Sequence, residues 1–434
     1  MPTDRANPDD AALSAPVDRP SASTVRTLLQ LSLPAVVVGV VSALVLYAVE
    51  AVVAALEHAL WDALPDAVGI DPSAPGWIFG VLALSGLLVG LIVWLIPGHG
   101  GQDSATVELT APPLKLGALP SLVLVAVIGF AGGVSLGPEA PIIAINTALL
   151  VVVVRRLWPR VSIELVVMVT AAGTIGALFG TPVAAALVFT GLVGAAAGGG
   201  ALWDRLFLPL LAAAAGALTM SALGSHALSV ALPAYDDVAP VDLLSAAGVA
   251  VVAAALGLAA AAVFPRLHGW FRLLRNPALY VTLGGVLLGL LGVVGGPITL
   301  FKGLDQMGRL VDDRAQYPAA GVILIIVVKM LALLVSAAAG FRGGRIFPAV
   351  FVGVAIGVLA NDLLAIPLTV GIAAGVLGMV LAVSRDGWIS LFIAVAVTGS
   401  IPVLPVLCIA VLPAWLLVSR GPEMIVHEHG PVRS

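Results

Sequence analysis

The hydrophobic sequence is interrupted twice in the same way, by GGVSLGPEAPIIAIN from Gly132 and by GFRGGRIFPAVFVG from Gly340. Each stretch ends an apolar run in glycines and predicts a new helix with a proline near its first turn, Pro141 or Pro348. A helix that begins inside a membrane directs unpaired N–H groups and the positive end of its dipole into an enclosed space. Only an anion or another acceptor satisfies these groups there, so two such helix starts predict an anion site.

The amino-acid composition places the chain in a membrane. Of its 434 residues, 60% are hydrophobic and only 10% are charged, whereas soluble proteins average about 25% charged residues. Apolar runs long enough for a spanning helix, about 17 to 25 residues, recur from residue 33 to residue 418. The sequence therefore predicts a multi-pass protein of the cell membrane that is surrounded by the lipid bilayer.

Charge and cysteine content exclude several other classes of protein. The formal net charge is -4, and the chain has no basic patch of the kind that nucleic-acid binding requires. Cys408 is the only cysteine and lies in the apolar segment VLPVLCIAVL. The chain can therefore form neither an internal disulfide nor a cysteine zinc site, and we expect no metal ion and no cofactor.

The apolar segments predict an all-α, polytopic membrane fold with broken and half-length helices. Several segments are too short to cross about 30 Å upright, and such helices are tolerated only against protein or beside a cavity. The predicted helices lie near residues 28–60, 76–96, 118–134, 139–154, 163–178, 182–198, 206–223, 241–264, 279–296, 319–339, 346–360, 368–383 and 387–418, and the last is long enough for two.

The two halves of the sequence echo each other. AAGTIGALFGTP begins at Ala171 and AAGVLGMVLAV begins at Ala373, each a similar distance after one of the interrupted stretches. Transporters often contain such repeats in inverted orientation, with the substrate site at their interface. We predict a disordered tail over residues 1–26, a first membrane repeat over 27–222, a connection over 223–242, a second repeat over 243–419 and a short tail over 420–434.

Two groups of arginines indicate the orientation of the chain in the membrane. Cytoplasmic loops carry an excess of Lys and Arg. The two groups are Arg155, Arg156 and Arg160, and Arg266, Arg272 and Arg275. We therefore predict that both groups, and both termini, are cytoplasmic.

Glu139 lies in the first turn of the helix that the first interrupted stretch predicts. Its carboxylate can occupy the place of the anion at the positive helix end. Protonation would release the side chain and admit an ion, which makes Glu139 a candidate proton-sensitive gate. The alternative is that Glu139 only caps its own helix, which is common and modestly stabilising.

Two further sets of residues are candidates for the same site. Arg342 and Arg345 precede a helix start, where cations are disfavoured unless an anion or a carboxylate offsets them. The alternative is that both arginines extend to a membrane interface. A third break, PGHGGQDSATVEL from Pro97, places His99 in a glycine-rich turn. There it either supplies an imidazole or backbone donor to the site or is solvated like an ordinary loop histidine.

Two functional classes other than transport stay open at this point. Residues 133–137 read GVSLG and match the G-x-S-x-G pattern of a hydrolase. That motif requires a preceding strand together with histidine and acidic partners, whereas this sequence predicts a helix and offers no convincing partners. The other class is a membrane scaffold without ion flux, which the buried charges disfavour.

In these residues the chain resembles the CLC family of chloride channels and proton-coupled anion antiporters, and within it a bacterial branch of ion-transport proteins. The family's motif of Gly, a basic residue, Glu, Gly and Pro is matched by Gly137, Pro138, Glu139, Ala140 and Pro141. Its GxFxP segment is approximated by residues 344–348 and its GSGIP loop by residues 98–100, and FGTPVAAAL from Phe179 also matches. The order of these motifs over nearly the whole membrane region is the specific part of the resemblance.

The resemblance implies a homodimer with one pore per subunit that moves a small inorganic anion, chloride or a similar halide. It implies that Glu139 is the gate and that the anion is bound partly through backbone amides. The anion-binding residues that it implies are His99, Gly100, Gly137, Ala140, Arg345, Ile346 and Phe347.

Several positions depart from the family pattern. Pro138 removes an N–H group of the outer ion site, and His99 stands where a serine usually contacts the central ion. The internal glutamate of the antiporters is absent, because Gly191 and Leu192 occupy that segment, and SRGPEM near the C-terminus lacks the family's tyrosine. These departures favour channel-like anion conduction, although fluoride-exporting relatives also lack parts of this apparatus. Proton-coupled antiport of fluoride or chloride is the alternative.

Overall fold

Helices make up nearly all the regular structure of residues 22–106, 113–195, 202–224 and 228–426, the part of the chain that this computed structural model describes. The predicted all-α fold is confirmed. The α-helices in chain order are α1 (Ala22–His58), α2 (Leu64–Val68), α3 (Pro75–Leu95), α4 (Leu119–Ala131), α5 (Glu139–Leu157), α6 (Ile163–Phe179), α7 (Pro182–Ala195), α8 (Leu202–Ala222), α9 (Pro240–Arg272), α10 (Pro277–Gly295), α11 (Leu304–Asp312), α12 (Ala319–Ala338), α13 (Ile346–Leu364), α14 (Leu368–Ser384), α15 (Gly387–Thr398) and α16 (Leu404–Val418).

The helix bounds differ from the predicted ones at several places, and α9 extends to Arg272 where an end near residue 264 was predicted. The short helices α2 and α11 were not predicted, because neither contains a long apolar run. The segment over 387–418, predicted to be long enough for two helices, does form two, since Gly399 ends α15 in a left-handed conformation and a 3-10 turn follows at Ile401–Val403. Helix α1 begins at Ala22, inside the predicted tail, and residues 1–21 and 427–434 lie outside the described part.

Both full-length and half-length helices are present. Nine helical segments of the described residues are long and apolar enough to cross a membrane. A helix rises 1.5 Å per residue, so one of 17 residues or fewer falls short of a bilayer core about 30 Å thick. The apolar helices in this shorter class are Leu116–Ala131, Ile163–Phe179, Leu368–Ser384 and Gly387–Thr398. The predicted multi-pass fold with half-length helices is therefore confirmed.

The two halves of the chain present corresponding helices in the same order. Helices α3, α5, α6, α7 and α8 are followed, at a nearly constant sequence separation, by α10, α13, α14, α15 and α16. The pair α3 and α10 packs antiparallel, with Gly86 against Gly285 and Gly289 against Phe79. A Cβ atom on Gly86 would lie 2.7 Å from the Cα of Gly285, so only glycine permits this backbone approach.

The two interrupted stretches, one from each half of the chain, contact each other through a pair of backbone hydrogen bonds. The Gly137 N–H donates to the Gly344 carbonyl at 2.8 Å, and the Gly344 N–H donates to the Gly137 carbonyl at 2.6 Å. These glycines occupy corresponding positions, because each lies immediately before the N-cap residue of its helix, Pro138 for α5 and Arg345 for α13. A reciprocal contact between corresponding residues is what a local two-fold axis produces. Helices α5 and α13 therefore begin beside this axis and belong to different halves.

The segment between the halves contains a buried polar contact. The Tyr235 hydroxyl donates to Oδ2 of Asp242 at 2.8 Å, and the Ala239 N–H donates to the same oxygen at 3.0 Å. Asp242 thereby caps the N-terminus of α9. Residues 225–227 lie outside the described part, so the predicted connection over 223–242 is described only from residue 228 onward.

Connecting segments, including the short helix α2, gather at two ends of the helix bundle. The end formed by residues 96–106, 384–387 and 419–426 is called the C-terminal face, and there the Val426 N–H donates to the Ala105 carbonyl at 2.8 Å. The end formed by residues 59–74 and 296–303 is called the opposite face, where the Trp61 and Phe301 rings lie 5.4 Å apart. Helix α3, with 21 residues, joins the two faces and spans about 32 Å.

Candidate anion-binding site

Glu139, the predicted gate, occupies the N-terminus of a helix from the other half. Its side chain leaves the start of α5 and places Oε1 3.1 Å from the Ile346 nitrogen and 3.2 Å from the Phe347 nitrogen, both of which donate to it. These N–H groups are unpaired donors of the first turn of α13. The carboxylate therefore accepts the hydrogen bonds that an anion would accept at a helix N-terminus.

The Glu139 carboxylate is enclosed on its other side. The residue is 1% exposed, and Oε2 has no hydrogen-bond partner within the described part of the structure. A Cβ atom on Gly137 or on Gly344 would overlap Oε2. The paired glycines thus create the space that the carboxylate fills, which explains why both interrupted stretches need glycine at this point.

A cavity of about 290 Å³ leads from the C-terminal face to this carboxylate. Glu139 and Ala140 line its buried end, and Val188 and Ile389 line its apolar sides. Its charged residues nearer the surface are Arg385, Asp386 and Glu423. The Glu139 side chain therefore stands where this water-accessible space ends.

Most of the predicted anion-binding residues come together here. Ala140, Arg345 and Ile346 line the cavity, Gly137 contacts the Glu139 carboxylate, and Phe347 donates its N–H to it. The Arg345 side chain and Glu139 attract each other electrostatically. The amides that hold the carboxylate are those of Ile346 and Phe347, the two residues that follow Arg345.

His99 and Gly100 lie outside the described lining of the cavity. The Nδ1 atom of His99 pairs with the Val93 carbonyl at 2.9 Å, and the Gly100 N–H donates to the Ser121 hydroxyl at 3.1 Å. His99 has a φ of 50°, in a left-handed turn that directs its ring back toward the preceding helix. The third break therefore contributes to the site through a different residue.

Ser104 is the residue of the third break that lines the cavity. Its hydroxyl donates to the Phe341 carbonyl at 2.6 Å and accepts the Gly343 N–H at 2.8 Å. It thereby fixes the segment that precedes α13. Sequence analysis missed Ser104, although a hydroxyl residue shortly after a glycine-rich turn was the available signal.

Arg342 is buried beside the third break. Its guanidinium donates to the carbonyls of Gly100, His99 and Gly340 at 3.0, 3.1 and 2.8 Å. It also lies 3.7 Å from Oδ1 of Asp103. Arg342 therefore ties the second interrupted stretch to the third break rather than lining the ion cavity.

The hydrolase motif can be compared with the structure. Ser135 of the GVSLG match follows helix α4, not a strand, and is buried. A nucleophile elbow requires a strand, a sharp turn and then a helix. Within the described residues, no group of three or more His, Cys, Asp or Glu side chains is arranged to hold a metal ion.

A family model described as voltage gated chloride channel matches residues 81–419 of the chain. The chain belongs to this family, CLC. Relatives in Escherichia coli and Shigella boydii serotype 4, both named "Putative ion-transport protein YfeO", are 47% identical over 404 residues. The aligned region covers 93% of this chain and 96% of each relative. As a CLC protein, the chain is a multi-pass membrane protein of anion transport and not an enzyme.

Solved CLC structures share this fold at low sequence identity. A slow cyanobacterial Cl-/H+ antiporter superposes with a TM-score of 0.73 at 16% identity, over 89% of this chain and 93% of its own. A CLC-type fluoride/proton antiporter superposes with a TM-score of 0.67 at 19% identity, over 92% of this chain and 97% of its own. A eukaryotic CLC transporter superposes with a TM-score of 0.69 at 17% identity, over 91% of this chain and 72% of its own. These likenesses support the CLC fold.

Proposed function

We propose that the chain moves chloride or a similar halide through the cavity, with Glu139 as the gate. The observation that carries this proposal is the pair of hydrogen bonds from Ile346 and Phe347 to the Glu139 carboxylate at the end of the cavity. In the closed state the Glu139 carboxylate accepts the hydrogen bonds of these two amides. When it is protonated and swings away, a halide from the cavity takes its place on the same N–H groups.

Other residues support binding without occupying the anion's place. Arg345 supplies positive charge next to the amides, Ala140 borders the ion path, and Ser104 fixes the backbone before α13 at the cavity wall. Backbone amides bind an anion without preference for its chemistry beyond size and charge. We therefore infer that this site accepts small monovalent anions and distinguishes among them by the space beside Gly137 and Gly344.

Proton-coupled exchange of fluoride or chloride is the second candidate function. Glu423 favours it, because its carboxylate lines the same cavity as Glu139 and stands at the C-terminal face. In such exchange a proton passes along water in that cavity between the two carboxylates, although the internal glutamate of the antiporters is absent from this sequence. The structures similar in fold include proteins named as fluoride/proton and Cl-/H+ antiporters.

Reconstitution into liposomes tests the proposal and separates the two candidates. Halide efflux and proton uptake are recorded together, with chloride and with fluoride, against liposomes lacking protein. Channel-like conduction gives halide efflux that dissipates a potential without fixed proton movement, whereas exchange gives protons in constant ratio to halide. Halide flux equal to that of protein-free liposomes would refute anion transport.

We also propose a homodimer in the cell membrane with both termini and the C-terminal face in the cytoplasm. The arginine pair Arg155 and Arg156 ends α5, which packs near the start of α1 through Val154 and Leu28. The arginine-bearing end of α9, through Arg272, binds Asp103 on the C-terminal face. Side-specific labelling of single cysteines and cross-linking in native membranes test orientation and dimer formation.

A further inference from the structure

A loop on the opposite face contacts both interrupted stretches. Residues 296–303 follow α10, and the Phe301 N–H donates to the Gly133 carbonyl of the first stretch at 3.0 Å. The next residue, Lys302, places Nζ 6.0 Å from the centre of the Phe347 ring, in the second stretch. Phe347 is also one of the two residues whose N–H holds Glu139. The loop therefore brings a cation to the gate from the side away from the cavity.

Lys329 fixes this loop from within the protein. Its side chain is 0% exposed, and Nζ donates to three consecutive carbonyls, those of Thr299, Leu300 and Phe301, at 3.0, 2.9 and 2.7 Å. A lysine amine has three donors, so all of its hydrogen-bonding capacity is used on the loop. A lysine buried at this depth is expensive unless it serves a function. Here it holds the backbone that carries Lys302.

Lys302 is only lightly held by its partner. Its Nζ lies 3.3 Å from Oε1 of Glu50 on α1, and the two side chains are 31% and 32% exposed. A partly exposed ion pair of this kind contributes little to stability. A dissolved anion can therefore compete with Glu50 for the Lys302 amine.

The charges around Lys302 are mostly negative. Glu57 on α1 interacts electrostatically with Lys302, Asp62, Asp305 and Arg309. Lys302 also attracts the gate carboxylate of Glu139. An anion that approaches the gate from the opposite face thus meets carboxylates, and Lys302 is a cation next to Phe347, whose N–H holds the gate carboxylate.

We propose that Lys302 is an anion-binding group at the opposite-face entrance of the ion path, and that Glu50 competes with the arriving halide for its amine. This inference rests on the proposed function, because it extends the same ion path beyond Glu139. It assigns Lys302 a role in anion capture and Glu50 a role in limiting that capture. It assigns Lys329 a positioning role, through the three carbonyls of the loop.

Flux measured from each face separately tests the assignment. In Lys302→Met, the halide concentration for half-maximal flux should rise roughly three- to tenfold when halide is supplied at the opposite face. Supply at the C-terminal face should give the wild-type value. Glu50→Gln should lower the halide concentration for half-maximal flux several-fold when halide is supplied at the opposite face. The double variant with Lys302→Met should have the same value as Lys302→Met alone.

Controls in the chain separate capture from loss of structure. Lys302→Arg keeps the charge and should restore wild-type behaviour, and Lys115→Met removes a lysine that lies outside the loop. Orientation in the liposomes is counted by labelling Asp71→Cys in a Cys408→Ala background, since Asp71 is exposed on the opposite face. Equal values for Lys302→Met and wild type at the opposite face, or equal changes at both faces, would overturn the proposal.

Direct binding keeps this test separate from the test of transport. Chloride and fluoride are titrated into detergent-solubilised protein by calorimetry, with wild type, Lys302→Met and Lys302→Arg. Weaker binding in Lys302→Met alone supports the anion site even if wild type shows no flux in liposomes. Identical binding in all three proteins removes Lys302 from the site, whatever the flux.

Discussion

Glu139→Gln is the substitution that tests the gate most directly. In the closed state, Oε1 accepts two N–H bonds, from Ile346 and Phe347. Hydrogen bonds to a charged group contribute about 1.5–3 kcal/mol each and neutral ones about 0.5–1.5 kcal/mol. Replacing carboxylate by amide keeps the shape but weakens the closed state by about 2–3 kcal/mol, because two bonds lose their charge. The cost of burying the carboxylate offsets part of this difference.

The expected effect on flux follows from that free energy. A change of 1.4 kcal/mol is a factor of ten in a two-state equilibrium, so the open fraction of Glu139→Gln should rise roughly ten- to hundredfold, up to full opening. Chloride efflux from liposomes at pH 7, normalised to incorporated protein, measures the change. Wild-type efflux should increase toward acidic pH, as the carboxylate is protonated, whereas the efflux of Glu139→Gln should be independent of pH.

A Glu→Gln substitution at a helix start away from the cavity provides the matched control. Glu164 lies exposed in the first turn of α6, so Glu164→Gln removes a helix-start carboxylate outside the ion path. Its efflux should equal that of wild type at every pH. If Glu139→Gln and wild type conduct equally from pH 5 to pH 8, the hydrogen bonds at α13 do not close the path and the reasoning fails.

Three further substitutions have defined outcomes. Gly344→Ala should raise neutral-pH efflux, because its methyl group displaces the Glu139 carboxylate; efflux and thermal stability both at wild-type levels would contradict this. Ser104→Ala should change the chloride-to-fluoride flux ratio, because it releases the Phe341 carbonyl and the Gly343 N–H at the cavity wall; an unchanged ratio would exclude Ser104 from selectivity. Burial and the Asp242 carboxylate raise the pKa of Tyr235 to about 12, so the phenol stays protonated, and Tyr235→Phe should cost about 1 kcal/mol of unfolding free energy, equally at pH 6 and pH 9 in thermal melts.

The sequence predicted the features that follow from local backbone chemistry. Glycines followed by a helix-starting proline predicted both interrupted stretches, and an acidic residue in the first turn predicted Glu139 at a helix N-terminus. The sequence analysis predicted that Glu139 lies in the first turn of its own helix, α5. The structure adds that its carboxylate reaches the N-terminus of α13 from the other half, a tertiary contact that local pattern does not contain.

The residues that were missed depend on the path of the chain through space. His99 is the conspicuous polar residue of the third break, but its left-handed φ turns it toward Val93, and Ser104 reaches the cavity instead. Lys302 follows a turn in which Phe301 has a φ of 57°, a conformation rarely adopted by aromatic residues. The position of Lys302 depends on Lys329, which lies about one helix further along the chain and holds the Phe301 carbonyl. The sequence around either lysine alone therefore does not predict the contact.

Gly137 and Gly344 exchange backbone hydrogen bonds, so the ion path lies at the interface between the two halves of the chain. Neither half contains the complete path. Each unit supplies something the other lacks: one brings the acid, the other brings the donors that receive it. A chain severed in the loop between α8 and α9 should accordingly be inert as separate pieces, and co-production of the two pieces should restore a working conduit if they reassemble.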